Sequence, residues 1–195
     1  MGQGAGVKPR PAPTPALAAI PEPIREMTVD EAIIKQETLD FLQVAERYCV
    51  FVETETTKGI EYHFKARDIL MTLYATAIRF PEVSITSDKE FNNRVTSDQQ
   101  QNILHRLDYN IGEKRFYWDT FDPTDEKETE HMCQDLIDDL ADIYRDIKSC
   151  LMTYNLGQDE AREHGLWELK FTFDKHWGEH NINALRALHY LIMNE

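Results

Sequence analysis

Beyond residue 28 most of the chain repeats its apolar positions three and four residues apart, the pattern of helices that bury one face. Ile34, Leu42, Ala45, Tyr48, Cys49 and Val52 trace the first stripe. It opens on Thr28-Val-Asp-Glu31, a capping box in which the Thr28 hydroxyl accepts from the amide three residues on and Glu31 reaches back. Residues 54–59 interrupt this helix. Ile69, Leu70, Leu73 and Ala77 predict a second over about 60–79, stopped by Pro81 because the residue before a proline avoids helical geometry. Residues 81–95 are polar and read as a loop. A second capping box, Thr96-Ser-Asp-Gln99, opens a helix that ends at Gly112.

The next segment, 113–123, is an aromatic connector, and Tyr117, Trp118 and Phe121 are expected to pack onto the bundle. Leu136, Leu140, Ile143, Ile147 and Leu151 predict a long helix over about 124–155, stopped near Gly157. Another is expected over about 159–177, with a kink at Gly178. The last, over about 181–193, carries Ile182, Leu185, Leu188 and Leu191. No strand signal of comparable length and no solenoid repeat is present. The expectation is an all-α, single-domain bundle of five or six helices over residues 28–195, of the up-and-down kind.

Residues 1–27 differ in kind. Six of the chain's 8 prolines lie between Pro9 and Pro23, so this stretch reads as a flexible Pro/Gly/Ala-rich tail. It has no signal-peptide pattern, and no segment approaches the roughly 20 apolar residues of a membrane span. With 3 cysteines, none in a CxxC pair, the expected setting is a reducing cytoplasm and no membrane association. Cys49 and Cys150 read as small core residues. The net charge of −14 disfavours direct nucleic-acid binding, and it suits a metal ion or a partner protein with a basic surface.

Candidate chemistry gathers in two segments. Asp135, Asp139, Asp142 and Asp146 follow one another at steps of four, three and four, which puts four carboxylates on one helix face. They form either an oxygen-rich surface for a cation or basic partner, or a solvated face. Arg145 and Lys148 are read as pointing elsewhere. His176 and His180, four apart, share a face with Leu169 and Phe173, which is expected to turn inward. Buried imidazoles need partners, so the pair is either a polar seam between helices or two metal ligands completed by Asp139 or Asp142. Arg186, His189 and Tyr144 are candidates to join that seam. His63, His105, His131 and His164 read as surface or edge residues.

Other constellations fall short. His176-x-x-Glu-His180 matches the inverted zinc-protease string, with Glu179 as the candidate base, but too little chain follows to supply a third ligand on a later helix. A di-iron bundle site needs two Glu-x-x-His pairs, and Glu128-x-x-His131 is alone. No phosphate-binding glycine loop is present, and Cys133 has a poor setting for a nucleophile.

A family resemblance rests on four stretches: Phe41-Leu-Gln-Val-Ala-Glu-Arg-Tyr-Cys49, Tyr117-Trp118…Phe121-Asp122-Pro123, Asp138 to Lys148, and His176-Trp-Gly-Glu-His180 with Ala184 to His189. In these the chain resembles an uncharacterised bacterial family catalogued as domain of unknown function 5063, from about Asp40 to the C-terminus. The resemblance implies a compact helical cytoplasmic protein and no particular activity.

These readings favour an accessory or adaptor that binds another protein, with Asp135, Asp146, Tyr117 and Trp118 among its contact residues. The balance is against an enzyme, because no catalytic constellation is complete. The first alternative is a metal-dependent, hydrolase-like enzyme with His176, His180 and Asp139 or Asp142 as ligands and Glu179 as base. The second is an acidic mimic that occupies a nucleic-acid-binding protein, which requires an outward array of carboxylates. The sequence establishes no cofactor, and a divalent metal is the one it leaves room for.

Overall fold

The computed structural model describes residues 35–120, 124–127 and 129–195. The tail, the Thr28 capping box, Ile34 and Phe121 lie outside the described residues. The elements in chain order are α1 (Gln36–Thr54), α2 (Ile60–Ala77), α3 (Ser97–Ile111), β1 (Phe116–Thr120), β2 (His131–Asp135), α4 (Leu136–Tyr154), α5 (Asp159–Thr172), a π-helical turn (Phe173–Trp177) and α6 (Gly178–Met193). The protein is predominantly all-α, and among the described residues no helix is long and apolar enough to cross a membrane.

α4 is the hub, packing against α1, α3, α5 and α6. Its stripe of Leu136, Leu140, Ile143, Ile147 and Leu151 is buried. Chain neighbours are not always spatial neighbours. α2 lies mainly on α1 and α6, whereas α3 lies mainly on α4 and α1. The connector between α2 and α3 makes that crossing possible because α4 and α5 hold it: Arg94 forks onto Glu168 at 2.7 and 3.0 Å, and the Val95 amide donates to Ser149 Oγ at 3.1 Å. The Thr96 capping box forms as predicted, and Gly112, at φ 80°, closes α3 in a conformation that a side chain would oppose.

Three expectations need correction. The first concerns residues 124–135, where a helix was expected. Residues 131–135 instead form a strand, antiparallel to β1, with Tyr117 opposite Gln134 and Trp118 opposite Cys133. Residues 124–131 hold no apolar residue to bury, so a helix there has no face to pack, and packing is what stabilises most helices. Asp135 makes the transition by capping α4, its carboxylate accepting from the Ile137 amide at 3.0 Å. The second concerns Trp118, which is 67% exposed and does not pack on the bundle; Ile182 is exposed as well. The third concerns His63, which is buried, its pKa pushed down by desolvation, while His164 is half-buried between Phe91 and Trp167.

The expected kink at Gly178 is instead a change of helical pitch. The buried residues around it run Leu169, Phe173, Trp177 and Asn181, three successive steps of four, with Phe173 only partly covered. Each such step overshoots an α-helical face by about 40°, so three would turn the stripe about 120° away from the core. The wider π turn absorbs that drift and keeps one face inward from α5 through α6. Trp177 anchors it, with its ring centroid 4.8 Å from Phe173 and 6.2 Å from Phe41.

Candidate functional site

α4 and the joined α5–α6 rod pack side by side, and the acidic stripe of one meets the histidines of the other. The Nδ1 atom of His176 lies 2.7 Å from Asp146 Oδ2. That of His180 lies 2.8 Å from Asp139 Oδ1. Each carboxylate therefore accepts an Nδ1–H, which fixes both imidazoles in one tautomer. The two Nε2 atoms then face each other at 3.4 Å, and Asp142 Oδ2 stands 3.7 Å from His180 Nε2. One atom from each of Asp142, His176 and His180 falls within 4.8 Å of the other two.

This arrangement is electrostatically incomplete. With both Nδ1 protons committed to carboxylates, two neutral imidazoles would point lone pairs at each other across 3.4 Å. A positive charge between them, either a proton or a metal ion, would relieve that repulsion. The spacing accommodates a metal, since two nitrogens bound to zinc at about 2.05 Å in tetrahedral geometry lie roughly 3.3–3.4 Å apart.

The surroundings complete the picture. Asp139 is 4% exposed, yet both its oxygens are satisfied, one by His180 and the other by the Tyr117 hydroxyl at 2.5 Å. Arg145 braces the far side, 2.7 Å from Asp142 Oδ1 and 3.6 Å from Asp146 Oδ1. The expectation that Arg145 points elsewhere is thus corrected; its three-residue spacing from Asp142 was the signal. Lys148 does point elsewhere, to Glu53 at 2.6 Å, where the Tyr144 hydroxyl also donates. The His176 side chain is 41% exposed, so the cluster opens to solvent and is not sunk in the core as the Leu169–Phe173 face suggested.

The remaining candidates lie apart. Asp135 caps α4 and pairs with Arg115 at 3.0 Å. Glu179 turns to the neighbouring face and lines a cavity of about 650 Å³ with Asp119, Asn183 and Arg186. Arg186 holds Asp119 at 2.8 Å, and His189 lies against Tyr190, so neither joins the seam. The four carboxylates do not form an outward array, because three of them turn toward histidines. Sequence reasoning missed the Tyr117–Asp139 bond, which depends on a hairpin that it did not foresee.

In metal-free protein His180 holds its proton more tightly than a free imidazole. The hydrogen bond from His180 to Asp139, opposed by desolvation and aided by the charges of Asp139, Asp142 and Glu179, raises the His180 pKa above its ordinary 6.5. A raised value contributes stability that is fully present below pH 6.5 and is lost as the pH climbs through the folded-state value. Wild type is therefore expected to exceed a His180→Gln variant most at acid pH, with the gap narrowing as pH rises. Urea midpoints measured with a chelator present check this, and a gap that widens with pH contradicts it.

The relationships are few. The family model described as "Domain of unknown function (DUF5063)" matches residues 32–194. Among solved structures, the crystal structure of protein BF1032 from Bacteroides fragilis is similar, with a TM-score of 0.71 and 28% identity over 83% of this chain and 98% of that one. No curated protein matches.

Proposed function

Since the chain belongs to this family, whose description names no activity, we propose from the side-chain geometry that it binds a divalent metal through His176, His180 and Asp142. The observation that carries the reading is the pair of facing Nε2 atoms, each imidazole tied at Nδ1 to its own carboxylate. Carboxylate–histidine–metal triads of this kind orient the ligand and raise its basicity. Mixed nitrogen and oxygen donors suit zinc and neighbouring transition metals better than calcium or magnesium. Three protein ligands leave a position for water, the arrangement of catalytic zinc and not of structural zinc. When bound there, the metal supplies a water of lowered pKa, which is hydrolytic chemistry. Glu179 is not placed to serve as its base, so Asp146 or Asp139, acting through the imidazoles, are the groups that tune the site.

The test is elemental analysis of untagged protein, set beside a His176→Ala/His180→Ala variant. Near-stoichiometric zinc, manganese or iron in the wild type that vanishes in the variant supports the proposal. Metal-free wild type that also fails to bind added zinc defeats it and leaves a proton-filled seam.

The accessory or adaptor reading retains one observation in its favour. Phe64 and Met71 on α2 and Ile78 just past its end, seven residues apart, stand exposed. Its test is co-purification of a partner with wild type and with a Met71→Glu variant; loss of a stoichiometric partner in the variant is the expected result. Capture of the same proteins by both contradicts it. The mimic reading loses its basis, because it needs carboxylates facing outward.

A further inference from the structure

A cavity of about 370 Å³ lies between β1 and α6 and shares Arg186 with the pocket around Glu179. Small-molecule sites begin at about this size. Its wall carries Lys114, Arg115 and Arg186 and no carboxylate, an unusual concentration of cations in a chain of net charge −14. Phe116, Trp118 and Tyr190 also line it, and all three are more than 60% exposed. Four aromatic residues of the described chain are that exposed, and three of them gather at this one mouth. Aromatic surface left to water in one place, beside cations, is the composition of a recognition site for a planar ring with a negative substituent.

The charge of the ligand follows from the pairing of the cations. Arg115 is held from behind by Asp108 at 2.8 Å and by Asp135 at 3.0 Å, and it stacks on the Phe116 ring. Arg186 is held by Asp119 at 2.8 Å. Both guanidiniums are thereby fixed in direction and largely neutralised. Lys114 has no ion pair among the described residues, so the cavity offers an unbalanced charge of about one. A polyphosphate would lack partners for its remaining charges, and a neutral ring would leave Lys114 unused.

We propose that this cavity binds a planar aromatic monoanion, a carboxylate or sulfonate, whose ring lies among Trp118, Tyr117 and Tyr190 and whose charge meets Lys114. The site is independent of the metal cluster, although Tyr117 forms a wall of one and donates to Asp139 of the other.

Three probes with one ring system test it: 2-naphthoate, the neutral 2-naphthamide and the cationic 2-naphthylmethylammonium. Each is titrated by calorimetry into full-length protein in the presence of a chelator, so that the outcome does not depend on metal. The expected order is naphthoate first, tighter than the amide by about tenfold, the effect of one well-placed charge. The ammonium is expected to be weakest. Lys114→Glu should remove the preference for the anion, and Tyr190→Ala should weaken all three probes together. Both positions are at the surface, and an unchanged Tm confirms that the variants fold. Equal affinities for the three probes, no saturable naphthoate binding, or an anion preference that survives Lys114→Glu would overturn the proposal.

Discussion

Zinc at a hundredfold excess over its dissociation constant is expected to raise the Tm of chelator-treated protein by about 5–10 °C. Ligand linkage contributes about 2.7 kcal/mol at that excess. For a domain of this size each kcal/mol moves Tm by about 2–4 °C. The shift should disappear in His176→Ala and in Asp142→Asn, which remove direct ligands. It should shrink in Asp139→Asn and Asp146→Asn, whose carboxylates only hold the imidazoles. Losing such an outer partner weakens metal affinity by about 10- to 100-fold, so these variants should still bind at higher metal concentration. A structural seam predicts a different pattern, in which every variant lowers the metal-free Tm and none changes a response to zinc. Because a metal ion competes with protons at the same Nε2 atoms, affinity should also rise with pH as His180 loses its proton. Titrations monitored by differential scanning fluorimetry at several pH values distinguish the two patterns directly.

The second large effect is expected at a residue with no chemistry. Gly178 sits where the π turn returns to α-helix, and a Cβ added there would collide with the Phe173 carbonyl oxygen and lie 3.1 Å from the Phe173 ring. The oxygen belongs to the backbone and cannot swing aside. The Phe173 ring, in turn, is wedged against Trp177. Gly178→Ala is therefore expected to cost about 3 kcal/mol, the upper range for overpacking, or to force the π turn back to α-helical pitch. In either case His176 and His180 lose their alignment with Asp146 and Asp139. The variant should melt well below wild type and lose its zinc response, although no ligand was replaced. Thermal unfolding with and without zinc measures both effects. A variant as stable as wild type that keeps the zinc shift would show that the π turn is dispensable.

How much of this was legible in the chain depended on the range of the interaction involved. The α3 capping box, the burial of Cys49 and Cys150, and the α4 core stripe are matters of local spacing, and each stands where the sequence predicts it. The β-hairpin was not legible. Its five-residue strands alternate too briefly to rise above the surrounding polar residues, and pairing across the intervening loop is what stabilises them. The π turn left a faint trace in three successive four-residue steps, but the choice between a kink and a change of pitch was made by Phe41, Phe80 and Trp177 packing together.

The candidate site divides in the same way. Spacing alone put Asp139, Asp142 and Asp146 on one face and His176 beside His180, because a helix repeats every 3.6 residues whatever surrounds it. That the two faces meet, that each imidazole takes its own aspartate, and that Tyr117 and Arg145 close the network are consequences of how α4, α6 and the hairpin dock. Local propensity and periodicity act over a turn or two of chain and are written in the sequence. The pairing of surfaces 30 and 41 residues apart is decided only when the apolar faces behind them are buried together.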